Sequence, residues 1–252
     1  MEKLIIKVYR GDSGKGELKE YQIEVDEGMV VLDAIHKLQA TQVPDLACRW
    51  NCKAGRCGSC SAEINGFPRL MCMTRIDELP KGKPITVEPM KSFPLIKDLV
   101  TDVSWNYEVN ERIPPFTPKP PEPDGTWRMQ QQDIDRVQEF RKCIECFLCQ
   151  DVCHVLRNHQ KQQQFIGPRF LIRVASLEMH PLDTVDRREL LKDQFGIGFC
   201  NITKCCTEVC PEKITITDNA IIPLKERVVD RYYDPLAWLI RQLKRVFKPS
   251  AK

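Results

Sequence analysis

The sequence predicts an α+β protein of two domains in series, a small mixed sheet packed on one helix and then a half that is mostly α. Three observations carry this. Period-two apolar alternation is confined to roughly the first 90 residues, and helical apolar spacing dominates after residue 133. Between them, six prolines (Pro114, Pro115, Pro118, Pro120, Pro121 and Pro123) fall within ten residues and mark a connection. The chain has 252 residues and 42% hydrophobic content, enough for two modest cores and too much for one very small domain.

In chain order, residues 4–9 and 18–25 alternate or run apolar around Gly11-Asp12-Ser13-Gly14-Lys15-Gly16, predicting two strands joined by a glycine-rich turn. Val30, Val31, Ala34, Ile35 and Leu38 follow at helical spacing and predict an amphipathic helix. A loop then carries the cysteines from Cys48 to Cys60. Ala62 to Pro68 reads as a strand entering a turn, and Ile85 to Pro89 as a closing strand. Leu95 to Val109 has helical apolar spacing and leads out of the first domain, giving domains 1–104 and 105–252. Proline fixes φ and lacks an N–H donor, so 114–123 is an extended surface connection. Asp133 to Lys142 reads as a polar helix, and Arg169 to Glu178 and Arg187 to Gln194 as further helices. The tail 235–248, with Trp238, Arg241, Lys244, Arg245 and Lys248, is basic and amphipathic. It suits an anionic membrane surface or a terminal helix docked on protein.

Bulk properties exclude several classes. Net charge is +3 from 38 basic and 35 acidic residues, so no strong field favours nucleic acid. Thirteen cysteines, an odd number clustered at two- and three-residue gaps, do not make a disulfide framework and suit a reducing compartment. The N-terminal residues Met1 to Arg10 interrupt their apolar positions with charges, as a strand does and a signal peptide does not. No stretch approaches about 18 uninterrupted apolar residues, so no span of a bilayer is expected.

The cysteine spacing points to chemistry. Cys52-x4-Cys57-x2-Cys60, with Cys72 after eleven more residues, is plant-type ferredoxin spacing for a 2Fe-2S cluster. Gly55 and Gly58 allow the tight fold such a loop needs. A zinc site on the same thiols is the bland alternative. Cys143-x2-Cys146-x2-Cys149-x3-Cys153 is bacterial-ferredoxin spacing, in which the fourth cysteine serves the other cluster. That crossing assigns Cys143, Cys146, Cys149 and Cys210 to a 4Fe-4S cluster, and Cys153, Cys200 and Cys206 to another. In the second motif Thr203 stands where a cysteine would complete the x2-x2 pattern, and a corner without thiolate readily loses its iron. A 3Fe-4S cluster is therefore expected on Cys153, Cys200 and Cys206. Cys48 and Cys205 are left over and expected to be buried thiols, with a Cys205-completed 4Fe-4S cluster as the alternative. No glycine-rich dinucleotide fingerprint follows the first strand and no substrate-binding constellation is present, so no catalytic residue is assigned.

These stretches, Cys52-Lys-Ala-Gly-Arg-Cys57-Gly-Ser-Cys60, Phe93-Pro-Leu-Ile-Lys-Asp-Leu-Val100, the Cys143 run, Phe165-Ile-Gly-Pro-Arg169 and Cys200 to Pro211, are similar to those of a known family. Over nearly its whole length the chain resembles the iron-sulfur subunit of succinate dehydrogenase and fumarate reductase. The resemblance implies a β-grasp 2Fe-2S ferredoxin domain followed by an α-helical ferredoxin domain. It implies docking between an FAD-containing catalytic subunit and a cytochrome b-type membrane anchor that binds quinone and often haem. Electrons would pass between FAD and quinone through the 2Fe-2S, 4Fe-4S and 3Fe-4S clusters, in either direction of the succinate–fumarate reaction. With no signal sequence and free thiols, the expected location is the cytoplasmic face of a bacterial inner membrane.

Many members have a proline directly after the cysteine matching Cys153 and a tryptophan a few positions on. Here His154, Val155, Leu156, Arg157 and Asn158 follow, which points to a divergent bacterial branch using menaquinone. His154, Arg157, Asn201 and Thr203 are the residues expected near quinone. His154 suits a hydrogen bond to quinone or a proton relay, since imidazole titrates near neutrality, although a lone histidine beside a cluster is more often structural. Two other readings stay open: an iron-sulfur subunit of a heterodisulfide-reductase-like or glycolate-oxidase-like oxidoreductase, and a freestanding multi-cluster ferredoxin. The first would carry a complete second cysteine run and a further cysteine-rich domain; the second would be stable without membrane partners.

Overall fold

The computed structural model describes residues 2–235 and 238–240, so most of the basic tail 235–248 lies outside the described residues. β1 (Glu2–Asp12) and β2 (Lys15–Val25) form an antiparallel hairpin in register from Glu2↔Val25 to Asp12↔Lys15. They are longer than their apolar alternation, because Gly11 and Gly16 pair across the strands and only Ser13-Gly14 turns, with Gly14 at φ +124°. α1 (Val31–Thr41) buries Val31, Leu32, Ala34, Ile35 and Leu38, the face predicted from their spacing. The Asp33 carboxylate accepts the Val30 N–H at 3.2 Å and so closes the helix start.

β3 (Ser61–Ile64) and β4 (Phe67–Leu70) make a second hairpin around Asn65-Gly66. β5 (Ile85–Glu88) runs parallel to β1 and antiparallel to β3. With β6 (Leu95–Lys97) and β7 (Val100–Thr101) the sheet order is β4-β3-β5-β1-β6-β7, and β2 pairs with β1. The first half is thus the mixed sheet on one helix that the sequence predicts.

Residues 95–109 differ from expectation. The apolar spacing suggests one helix, but the segment forms β6 and β7 before α2 (Ser104–Glu111) begins. The reason is Asp98, a buried carboxylate at φ 49° in the turn between the two strands. Its oxygens accept hydrogen bonds from Arg10 Nε at 3.1 Å and from the Gly11 and Ala47 N–H groups at 2.9 Å each. Two distant chain segments, at residues 10–11 and 47, are pinned on one side chain, which a helix at this position would not allow. Breaking a buried pair leaves an uncompensated charge, so Asp98→Ala should lower unfolding free energy by about 3 kcal/mol. Denaturant titration checks this; a change within experimental error would show that the carboxylate is not what holds the turn.

The second half is helical. α3 (Gln131–Gln138) continues into a 3₁₀ turn at Glu139–Lys142, and α4 (Leu148–Asp151) and α5 (His154–Arg157) follow. α6 (Pro168–Glu178), α7 (Arg188–Asp193), α8 (Cys205–Glu208) and α9 (Ile222–Tyr232) complete it, with a π-helical turn at Ile216–Ile221 before α9. α6 is the central helix, burying Phe170, Leu171, Ile172, Val174, Ala175 and Leu177.

The proline segment lacks most of its N–H donors but keeps its carbonyls, and Arg187 uses them. This fully buried guanidinium donates to Pro114 O at 3.0 Å and Pro115 O at 2.8 Å and pairs with Asp183 at 2.9 Å. The start of the connection is therefore tied to the helical half. The two halves also share one continuous apolar core. Among the described residues no helix is long and apolar enough to cross a membrane.

Candidate metal centres

The first cysteine group sits in the loop before β3. Lys53, Gly55 and Gly58 adopt φ of 55°, 67° and 69°, which coils the backbone so that N–H groups point inward. The Ala54 and Arg56 N–H groups approach Cys52 Sγ at 3.4 and 3.2 Å, and the Cys72 N–H approaches Cys60 Sγ at 3.5 Å. N–H groups aimed at sulfur are what a thiolate ligand of an iron-sulfur core requires. Burial opposes ionisation of Cys57, yet bonds from the Ser59 hydroxyl and nearby backbone outweigh it and lower this thiol to about 7. Burial pushes Cys60 up to about 12, with Cys72 and Cys57 adding to the cost of its charge.

The second group is brought together from far apart. Cys143, Cys146, Cys149 and Cys210 line one pocket, walled by Ile144, Phe147, Ile172, Ile214 and Ile216. Glu145 and Phe147 alternate into the left-handed region, at φ 56° and 60°, so the x2 spacings turn all three thiols to the same side. Burial pushes Cys146 up to about 12 and Cys149 well above its ordinary value. Such thiols are poor anions alone, and a cationic iron core supplies the compensation that turns them into ligands. The pocket therefore fits a cluster. The Phe165 to Arg169 stretch packs behind it: buried Gln150 donates to Ile166 O at 3.0 Å and accepts the Arg169 N–H at 3.2 Å. A Cβ on Gly167 would lie 2.0 Å from Gln150 Oε1, so glycine is required there.

The third group gathers Cys153 at the start of α5, Cys200 after a 3₁₀ turn, and Cys206 in α8. Burial raises Cys153 to about 11 and Cys206 to about 12, and each also feels Cys200 and Cys205. Cys206 Sγ contacts Thr217 Oγ1 at 3.5 Å. Cys149 feels the charge of Cys206, so the second and third groups are neighbours. Among the described residues no three His, Cys, Asp or Glu converge to hold a single ion.

The two leftover cysteines separate. Cys48 is half-buried and burial pushes its thiol up to about 12, in keeping with an inert thiol. Cys205 is of the same intermediate exposure as Cys48 and lies near Cys206.

Of the residues expected near quinone, Asn201 and Thr203 are exposed and His154 is half-buried, its ring 6.2 Å from that of His159. Arg157 is engaged elsewhere: its guanidinium grips fully buried Glu63 of β3 at 2.6 and 3.1 Å. Lys91 adds a third contact to Glu63 at 3.1 Å. Asp151 lies beside this pair, and burial raises it to about 7, with the charge of Glu63 adding to the shift.

Sequence reasoning missed the residues that join the first and second groups. Ser61 Oγ donates to Cys146 O at 2.9 Å, and a Cβ on Gly58 would lie 2.5 Å from Cys146 Cα. Arg56 reaches Glu212 at 3.5 Å across the same junction. Nothing local in Cys60-Ser61 signals a contact with a residue 85 positions away.

Comparison with known proteins accords with this geometry. Residues 3–108 match the 2Fe-2S iron-sulfur cluster binding domain, and residues 139–214 match the 4Fe-4S dicluster domain. The fumarate reductase iron-sulfur subunit of Mycobacterium tuberculosis is 29% identical, over 85% of this chain and 88% of its own. The succinate dehydrogenase iron-sulfur subunit of Paracoccus denitrificans is 30% identical, over 89% and 87%. A chain of the Mycobacterium smegmatis Sdh1 complex superposes with a TM-score of 0.90 at 63% identity, covering 93% of this chain and 98% of that one. With two cluster-domain matches laid end to end and relatives aligned across both, the chain belongs to the iron-sulfur subunits of succinate dehydrogenase and fumarate reductase.

Proposed function

We propose that the chain carries electrons one at a time between an FAD-containing catalytic subunit and quinone held by a cytochrome b-type membrane anchor. The observation that carries this is the contiguity of the three cysteine groups. Ser61 and Gly58 put the first against the second, and Cys149 and Cys206 put the second against the third. In this reading Cys52, Cys57, Cys60 and Cys72 hold a 2Fe-2S cluster. Cys143, Cys146, Cys149 and Cys210 hold a 4Fe-4S cluster, and Cys153, Cys200 and Cys206 a 3Fe-4S cluster. When bound, these groups supply one-electron oxidation and reduction.

The chain's own work is to hold the three sites in contact, keep water from the inner one and set local charge. Ile172, Ile214 and Ile216 make the wall of the second site apolar. The first half is read as a β-grasp ferredoxin domain and the second as an α-helical ferredoxin domain, divided near residue 104. Exposed Trp50 and Met73 flank the first group and suit docking of the flavin subunit; exposed Phe199 and Ile202 flank the third and suit the anchor. Exposed Asn201 and Thr203, next to Ile202 in the chain, and half-buried His154 are the residues that would meet quinone. Haem, where present, would belong to the anchor, and the complex would lie on the cytoplasmic face of a bacterial membrane.

Electron paramagnetic resonance on membranes holding the assembled complex tests the assignment. The oxidised wild type should show a 3Fe-4S signal, and Thr203→Cys should lose or alter it by supplying the fourth thiolate. Absence of the signal from intact oxidised wild type would overturn the three-iron site and favour another class of iron-sulfur oxidoreductase.

A further inference from the structure

We propose that Arg169 sets the reduction potential of the second cysteine group, its buried guanidinium favouring the reduced state of the cluster held there, an inference that rests on the 4Fe-4S reading of that site. Arg169 lines the pocket that Cys143, Cys146, Cys149 and Cys210 share, in a wall that is otherwise mostly apolar. Its side chain is 7% exposed, a depth at which a cation persists only beside compensating charge. The compensation from the protein is partial. Nη2 meets the Glu145 carboxylate, which is exposed and screened by water, and the guanidinium carbon lies 5.5 Å from the centre of the Phe170 ring. Nε is buried and finds no acceptor among the described residues.

The fold fixes this charge at the pocket. Pro168 and Arg169 open α6, and the Arg169 N–H donates to buried Gln150 Oε1 at 3.2 Å, which holds the backbone from which the side chain extends. Ile172, one turn on, lines the same pocket, so the first turn of α6 and the positive end of its dipole share this wall. Glu145 stands between Cys143 and Cys146 at φ 56°, so its pairing with Arg169 ties α6 to the cysteine run. Among the described residues the other charged side chain lining the pocket is Glu212, which acts in the opposite sense and is met by Arg56 at 3.5 Å.

A buried donor without an acceptor, in the wall of a pocket built from four thiols, is satisfied by an anionic, sulfur-rich group. With four thiolates a 4Fe-4S cluster is a dianion, and taking up one electron makes it a trianion with no bond formed or broken. The electron comes from the neighbouring cluster in the relay and leaves to the next. A fixed positive charge stabilises the trianion more than the dianion, and burial keeps its field from being screened. In the proposed relay this site lies between the other two, so its potential decides whether it passes electrons on or holds them up.

The test is a redox titration, followed by low-temperature electron paramagnetic resonance, of membranes containing the assembled complex as wild type, Arg169→Gln, Arg169→Lys and Glu145→Gln. Arg169→Gln removes the charge and should lower the midpoint of the second cluster by about tenfold in its reduction equilibrium, about 59 mV for one electron, with the first and third clusters moving less. Arg169→Lys keeps the charge and should recover most of that shift. Glu145→Gln leaves the guanidinium without its carboxylate and should move the midpoint upward. The opposed signs separate charge from scaffolding, because a residue that only clamped the Cys143 loop would be lost equally in the Gln variants at 169 and 145, with shifts of one sign or none. Total iron content shows whether Arg169→Gln assembles; where it does not, a downward or absent shift in Glu145→Gln overturns the proposal. An unmoved midpoint in fully loaded Arg169→Gln overturns it and leaves the 4Fe-4S assignment standing. A dithionite-reduced wild type in which Mössbauer spectroscopy finds no 4Fe-4S cluster overturns both.

Discussion

Gly58→Ala is expected to disrupt the junction between the first and second cysteine groups. The added methyl would lie 2.5 Å from Cys146 Cα and 2.8 Å from Cys146 Cβ, contacts that real side chains do not make. Gly58 also sits at φ +69°, a conformation that costs a non-glycine residue on the order of 1 kcal/mol by itself. The neighbour is backbone of a residue inside the second cysteine group, so the strain cannot be relieved by turning a flexible side chain. Either the first loop or the Cys146 turn must move, at about 3 kcal/mol or more. The expected result is reduced iron content at the second site and slowed transfer from the first site to the second, followed by freeze-quench spectroscopy. Ser61→Ala, which removes only the 2.9 Å hydrogen bond to Cys146 O, should cost about 1 kcal/mol and leave both clusters assembled. Wild-type iron content and transfer rate in Gly58→Ala would refute the close junction.

The second large effect is at Arg157. Replacing it with alanine leaves the Glu63 carboxylate, fully buried, with only half-exposed Lys91 as a cationic partner. An unpaired buried charge typically costs about 3–5 kcal/mol, and Lys91 holds the expected loss near 3 kcal/mol. Arg157 and Glu63 come from opposite halves of the chain, so the loss should appear as loosening of one half from the other. Glu63→Gln should recover much of it in the double variant, because no charge is then left unpaired. Denaturant titration of the four proteins in the cycle measures the coupling. If Arg157 served quinone alone, stability would hold and only the quinone kinetics would change.

The cysteine groups were legible because ligand spacing is a local property: x4-x2 and x2-x2-x3 runs dictate which thiols share a loop. Even the distant Cys210 could be paired with Cys143, Cys146 and Cys149, since the crossing is a rule of such runs, and the structure places all four around one pocket. The first hairpin and α1 were legible by period, because their buried faces are continuous along the chain. Residues 95–101 were not, since their apolar spacing is compatible with a helix and the deciding group, Asp98, acts through partners at positions 10, 11 and 47. Arg157 was grouped with the quinone residues by its nearness to Cys153 in sequence. Its side chain instead turns to Glu63, whose burial no local pattern announces.

The sequence by itself therefore determined the α+β class, the two cysteine-rich stretches and the family to which they belong, because each rests on residues close in the chain or on a rule of spacing. Only the tertiary structure decided how these stretches touch. The Gly58–Cys146 approach, the Ser61 bridge and the Arg157–Glu63 pair all depend on positive-φ loops and on packing of one half against the other. Such contacts form when chain segments remote in sequence are buried together, and burial is a property of the fold that no local window of residues contains.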